Sequence, residues 1–240
     1  STQAKTLFPY TTLFRSVFPG GFVGVDIFFV ISGYLISSIL FGDMLKNQLS
    51  IVDFYRRRIK RIFPALLTVL AFCFALGWFT LLVDEFLALN KHIAAGLAFA
   101  SNLVLLGESG YFDSASNNKI LLHLWSLGIE EQFYIFWPLL LLFFCRLDGV
   151  TKNGARYIGA LLFILLCGSF FLNIAFISSH PTATFYLPVT RIWELLIGSA
   201  LAYRSVVQNR SLMLWSSPNL NAWLGFLLLT SYLLVHQSMV

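Results

Sequence analysis

Charge is what this sequence has least of. Asp, Glu, Lys and Arg make up 11% of its 240 residues, against about 25% in an ordinary soluble domain. So little charge excludes a soluble globular enzyme and the basic surface of a nucleic-acid reader, and 58% hydrophobic residues exclude a disordered chain. Cysteine is scarce as well. Cys73, Cys145 and Cys167 stand singly in apolar segments with no CxxC pair, which supports neither a disulfide framework nor a metal site. Internal repeats, low-complexity tracts and a GxSxG nucleophile elbow are also absent.

Apolar length is what the chain has in excess. Mean hydropathy is +0.79, and several runs reach the roughly twenty residues that cross a bilayer as a helix. The composition predicts an all-α, polytopic transmembrane bundle with about six to seven membrane segments. The net charge of +5 is then read first as topology, because basic residues gather in cytoplasmic loops.

Spanning helices are expected at Phe22 to Phe41, Phe63 to Val83, Ile120 to Cys145, Ile158 to Ile177 and Phe185 to Tyr203, with a further one starting at Ala222 to His236. Ile51 to Ile62 reads as a short basic amphipathic stretch, after which Pro64 sits where a helix would begin. Asp84 to His92 reads as a polar connection, and Gly107 to Lys119 and Arg146 to Tyr157 as loops. Ile93 to Leu106 is only 14 residues long, which suits a re-entrant segment as well as a tilted span. The basic loop from Gly42 to Ile62 (Lys46, Arg56, Arg57, Arg58, Lys60 and Arg61) should be cytoplasmic. If Ile93 to Leu106 crosses, the Arg146 to Tyr157 loop falls outside. If that segment turns back, the loop falls inside with Arg204 and Arg210, which the charge rule favours. Residues 1–16, STQAKTLFPYTTLFRS, have neither a signal-peptide core nor an amphipathic stripe. Thr6 to Ser16 resembles the translation of a common sequencing adapter, so native sequence is expected to begin near Val17 and residues 17–240 to be a partial domain.

Polar residues inside the apolar runs carry the chemistry. In His123-Leu-Trp125-Ser126-Leu-Gly-Ile-Glu130-Glu131-Gln132-Phe-Tyr134, helical steps of three and four put His123, Ser126, Glu130, Tyr134 and Trp137 on one face. Adjacent carboxylates at the mouth of an apolar helix need water, a cation or a partner. A His and a carboxylate on one face can orient or deprotonate a hydroxyl; the alternative is capping and structural pairing with arginines elsewhere. Asp26, in GGFVGVDIFFVISGYLIS, lies about 6 Å inside its run, where it needs a partner or serves the helix start. FYRRRIKRIFP either anchors the chain to anionic lipid or grips a phosphate through Arg58 and Arg61, three apart on one face. Arg191 and Glu194 form an i,i+3 pair, self-contained or part of a network with Glu130, Glu131 or Asp26. His92, His180 and His236 stand alone and are assigned no role.

Four blocks taken together resemble the membrane acyltransferase 3 family: GGFVGVDIFFVISGYLIS, RRRIKRIFPALL, SGYFDSASNNKILLHLWSLGIEEQFYIFWPLLLL and FYLPVTRIWELLIGSALA. The likeness runs from about Gly20 to Tyr203 with the blocks in family order, and is greatest to the bacterial branch that O-acetylates cell-surface polysaccharides such as lipopolysaccharide O-antigen. The resemblance implies transfer of an acyl group, usually acetyl from cytoplasmic acetyl-CoA, to a sugar hydroxyl across the bacterial inner membrane. Acetyl-CoA is thus the implied donor substrate rather than a bound cofactor, and the implied partners are a cell-surface glycan acceptor and the lipid bilayer, without nucleic acid or metal. Asp26 matches the family's GVDxFF block and Arg58 and Arg61 its RxxR, as donor-binding residues. His123, Trp125, Ser126, Glu130, Glu131 and Tyr134 match HTWSLxxEExFY, and Arg191 and Glu194 match TRxWEL. His123, Glu130, Glu131 and Asp26 are the implied catalytic set, with Trp125, Ser126, Tyr134, Arg191 and Glu194 in support.

Two substitutions depart from the pattern: Leu124 replaces the usual Thr, and Ile120 stands where Pro is common. The family's first helix, with a basic residue about ten positions before a His that would serve as base, belongs before Gly20, where the adapter-like text stands. The chain as given is therefore expected to be inactive alone, and no SGNH-type esterase-like domain follows in it. A transporter or flippase and an inactive scaffold of envelope assembly are the rival readings. Transporters tend to show internal repeats and paired broken helices, and the sequence has neither.

Overall fold

In the computed structural model, residues 22–108, 120–148 and 152–210 are described, and among them every regular element is helical. In chain order these are α1 (Phe22–Leu45), α2 (Ile51–Thr80), α3 (Val83–Leu97), α4 (Ser101–Glu108), α5 (Leu124–Asp148), α6 (Lys152–Ile177), α7 (Pro181–Tyr186) and α8 (Pro188–Ala202), the last running into a π turn at Tyr203–Val207. Four of the described helices are long and apolar enough to cross a membrane: Gly24–Leu45, Ile51–Thr80, Leu124–Phe144 and Tyr157–Ile177. Large apolar side chains such as Trp78, Phe79, Phe136, Phe163 and Phe171 face outward, as lipid contact requires and water would penalise. The expected all-α membrane bundle is what the chain builds, and it is a multi-pass membrane protein. The adapter-like residues 1–16 and the expected helix at Ala222 to His236 lie outside the described residues.

The α1–α8 pair is the spine. In lipid, helices gain little from burying more apolar surface, so close packing through small residues decides which pairs form. Gly33 of α1 faces the backbone of Leu195, and Gly198 of α8 faces the backbone of Val30 and Tyr34; a Cβ at either would strike main chain that cannot yield. Below this crossing a buried relay runs from Trp137 Nε1 to Ser37 Oγ (2.9 Å), from Ser37 Oγ to Ser199 Oγ (2.7 Å) and from Ser199 Oγ to Leu195 O (3.0 Å). It ties α5 to both.

Contacts along the spine give the helices α1, α2, α5, α6 and α8 a direction. Asp26 meets Arg191 near one end, and Phe41 packs edge-on to Tyr203 near the other. α1 and α8 are therefore parallel, and α5 joins them, with Phe29 against Trp125 and Phe41 against Trp137. α2 and α6 run the opposite way: Asp43 pairs with Arg57 at one end of the bundle, while Gly159 lies under Tyr203 and Ser169 bonds Val189 O further on. The ends of α1, α5 and α8 and the starts of α2 and α6 thus share one end of the bundle. That end carries Arg56, Arg57 and Arg204, and is called the basic end below.

The 14-residue apolar run at Ile93 to Leu106 breaks in two. α3 runs back along the second half of α2, Gly96 packing on Leu70 and Leu124. The chain then reverses at Phe99, a non-glycine residue with φ of 52°. α4 climbs back until Glu108 reaches Lys91 Nζ (2.7 Å) and His92 Nε2 (3.2 Å). Of the two arrangements open to the sequence, the re-entrant one is built. Irregular backbone at this depth is tolerated because it is buried in protein: Asn102 has no exposed surface and donates to Tyr186 O at 3.0 Å.

Local expectations need five corrections. Pro64 does not begin a helix but lies inside the 30-residue α2, which Ser50 caps through Asp53 N at 3.3 Å. At 1.5 Å per residue α2 is about 45 Å long, beyond a ~30 Å hydrocarbon core, so the basic amphipathic stretch and the span are one rod. Asp84 to His92 is helical rather than a connection, its first turn carrying Asp84 and Glu85. Ile120 to His123 form a turn, and the helix starts only at Leu124. The expected loop from Arg146 shrinks, because α5 continues to Asp148 and α6 begins at Lys152. Finally, Phe185 to Tyr203 is interrupted at Leu187, because proline at 188 is disfavoured in a continuing helix yet suits the first turn of the next.

Candidate active site

Two polar clusters sit along α1, Asp26 in one and Ser32 in the other, about 9 Å apart by helical rise. The cluster near the far end is an ion network in which Asp26 Oδ1, Arg191 Nε and Glu194 Oε2 make no hydrogen bond. Arg191 Nη1 contacts Glu194 Oε1 at 2.8 Å and Asp26 Oδ1 at 3.3 Å. The sequence left open whether Arg191 and Glu194 pair alone, and they share their cation with Asp26. The rings of Trp125 and Phe185 flank the guanidinium, with centroids 5.6 and 5.1 Å away, and meet one another at 4.5 Å with planes tilted by 44°. Glu194 is 1% exposed, a depth at which a carboxylate needs such a partner.

The second cluster lies deeper, between α1, α2 and α5. Glu130 Oε1 accepts from both Ser32 Oγ and the Tyr134 hydroxyl, and those two oxygens also meet. Arg58 Cζ lies over the Tyr134 ring, 3.8 Å from its centroid, a cation–π contact worth more where water is excluded. Among the described residues Arg58 makes no ion pair with Glu130 or Glu131. Its Nε and the Oε1 of Glu131 are buried without a hydrogen-bond partner, and buried polar groups rarely stay unpartnered without a reason. Both line a cavity of about 190 Å³, walled by Tyr55, Ile59, Ile62 and Phe63 of α2, Tyr134 and Ile135 of α5, and Phe99 of the re-entrant tip.

The tip is latched. Gln132 Nε2 donates to Phe99 O at 2.8 Å and to Asn102 Oδ1 at 2.9 Å. Gly128, one turn earlier on α5, leaves the room, since a Cβ there would come within 2.9 Å of Asn102 Oδ1. On the other side, Tyr55 donates its hydroxyl to Ile135 O at 2.7 Å and docks α2 on α5.

The structure divides the sequence-derived set. Asp26, Arg191, Glu194 and Trp125 form the outer cluster; Glu130, Glu131, Tyr134 and Arg58 form the inner one. His123 does not join the face of Glu130, Tyr134 and Trp137: it is exposed in the turn before α5, because the helix that would have aligned it starts one residue later. Ser126 Oγ donates locally to His123 O at 3.2 Å. Arg61 is exposed one turn beyond Arg58 and is not among the cavity walls. Ser32, Tyr55, Phe99, Asn102 and Gln132 were not singled out by sequence. Asn102 and Gln132 carry the one usable signal, a carboxamide inside an apolar run, which marks a buried partner.

A family model described as an acyltransferase domain matches residues 2–239. An uncharacterized protein of Haemophilus influenzae is 37% identical over 211 residues, 87% of this chain and 86% of that relative. The putative peptidoglycan O-acetyltransferase YrhL of Bacillus subtilis is 38% identical over 189 residues, 76% of this chain and 29% of its own length. The peptidoglycan O-acetyltransferase OatA of Listeria monocytogenes is 33% identical over 229 residues, 91% of this chain and 36% of its own. The chain thus spans about a third of those two named relatives. No solved structure matches it.

Proposed function

This chain belongs to the acyltransferase-domain family, and from that premise we propose that it is the membrane part of an O-acetyltransferase acting on a cell-envelope polysaccharide. The reaction is acyl transfer: an acceptor hydroxyl oxygen bonds to the thioester carbonyl carbon, the C–S bond breaks, and the hydroxyl proton passes to the departing thiolate. The donor is acetyl-CoA supplied from the cytoplasm, and the basic end faces that compartment in the inner membrane, as the positive-inside rule favours. Among acceptors, the printed names of YrhL and OatA favour peptidoglycan over lipopolysaccharide O-antigen.

The observation that carries this reading is an arginine whose Nε has no hydrogen-bond partner, beside a carboxylate oxygen that has none either, both lining a narrow cavity. At about 190 Å³ the space is below the roughly 300–1,000 Å³ of sites that swallow a drug-sized ligand. It excludes a nucleotide and admits a slender arm. The donor phosphates stay outside, at Arg56 and Arg57, the exposed cations on the basic-end side of Arg58, while the pantetheine arm enters between α2 and α5. Arg58 then offers its free N–H to the polar atoms of that arm, and Glu131 the matching acceptor. Glu130 and Tyr134 hold Arg58 in place through the ring stack, and the Asp26–Arg191–Glu194 network braces the far end where the acceptor arrives. His123 is at that same end and faces outward.

Binding is the test, with a non-transferable thioether analogue of acetyl-CoA and the complete protein in lipid nanodiscs. Arg58→Ala should weaken binding by about tenfold or more, the weight of one charge-assisted contact, with insertion and folding intact. Undiminished affinity would remove the donor from this cavity.

A further inference from the structure

We propose that the Phe63–Phe99 ring pair is the acyl-length gauge of the enzyme, the wall that restricts the donor to short acyl groups; this rests on the donor reading of the cavity above. Phe63 lies five residues beyond Arg58 on α2, about 7.5 Å further from the basic end. An arm entering past Arg58 therefore brings its acyl end to Phe63. There the ring of Phe99 meets Phe63 edge-on, centroids 5.8 Å apart and planes at 80°, and both residues line the cavity.

The geometry of Phe99 is imposed. A phenylalanine at φ of 52° is in a region that side-chain-bearing residues avoid, and such residues persist where their surroundings over-determine them, often at ligand clamps. Here the surroundings are explicit: Phe99 N donates to Gly96 O at 3.2 Å, Ala100 N to Ala95 O at 2.8 Å, and Gln132 latches the Phe99 carbonyl. Asn102 passes the same latch to Tyr186 O. Two helices and the α7 segment thus hold one aromatic ring against the cavity. A free hairpin would be a soft wall and would not discriminate by size, whereas a latched ring does. Gln132 is a positioning residue in this scheme.

The test uses thioether analogues of CoA bearing acetyl, butyryl and octanoyl chains, bound to the complete protein in nanodiscs. Wild type should prefer acetyl. Phe99→Ala should shift the butyryl-to-acetyl affinity ratio by about tenfold or more toward butyryl, the scale on which a pocket senses one or two methylenes. Phe63→Ala, in regular helix and free of the unusual φ, should shift it the same way and keeps the test valid if the hairpin variant fails to fold. If wild type binds the acetyl analogue and both variants retain its length preference, the gauge is refuted while the donor site stands. If wild type binds no CoA analogue, the donor reading itself falls and takes the gauge with it.

Discussion

The two clusters on α1 contain the same charges in different geometries. Each has two carboxylates and one arginine: Asp26, Glu194 and Arg191 toward the far end, Glu130, Glu131 and Arg58 further in. In the outer cluster one guanidinium nitrogen reaches both carboxylates, at 2.8 and 3.3 Å. In the inner one the arginine lies on Tyr134 instead, Glu130 is satisfied by two hydroxyls, and Glu131 keeps a buried oxygen without a partner. Both sets keep buried polar atoms without hydrogen bonds, but the outer arginine is ion-paired to its carboxylates and holds helices together, whereas the inner donor and acceptor line a cavity and can be offered to a ligand. Charge inventory alone does not distinguish a brace from a binding site, and the partner of each arginine does.

Variants can break that contrast. Arg191→Met should have the largest effect on stability, about 3–5 kcal/mol, because it leaves the buried Glu194 and its neighbour Asp26 without their cation; reversible unfolding in mixed micelles reads it. A loss below about 1 kcal/mol would mean the outer cluster is no brace. Tyr134→Phe should come next, at about 1–2 kcal/mol, since Glu130 loses one of two donors while Arg58 keeps its ring. Measured in the same way, a cost equal to that of Arg191→Met would place the main brace in the inner cluster. Glu131→Gln should change stability by less than about 1 kcal/mol in either direction, because Oε1 makes no bond that the change can remove. The same variant should weaken binding of the acetyl-CoA thioether, and the contrast fails if it unfolds the protein while leaving binding intact.

Most of the helical content was legible, since an apolar run of about twenty residues has few options in lipid. The misreadings came where a local signal met a longer-range one. Pro64 reads as a helix start because its missing N–H is tolerated there, yet Ser50 begins α2 well before it. His123 reads as part of an active face because the spacing fits, yet spacing orients a side chain only once the helix has started, and α5 starts at Leu124. Asp26, Glu130 and Glu131 were found because charge inside an apolar run is costly wherever it sits, and Arg58 because it stands three residues from Arg61 in a basic run that resembles the family's RxxR. Phe99 was not, for an aromatic in an apolar run carries no such mark until its φ is known.

By itself the sequence determined a multi-pass helical membrane protein of the acyltransferase family, with its buried charges at named positions; composition and motif are properties of the chain read locally. Tertiary structure alone decided whether Ile93 to Leu106 crosses or returns, which carboxylates Arg191 meets, and that Arg58 lies on the Tyr134 ring instead of forming an ion pair with Glu130 or Glu131. The second of those outcomes depends on where α1 and α8 touch. The touching point is set by two glycines 165 positions apart, Gly33 and Gly198, each of which lets the other helix's backbone into the space a side chain would fill.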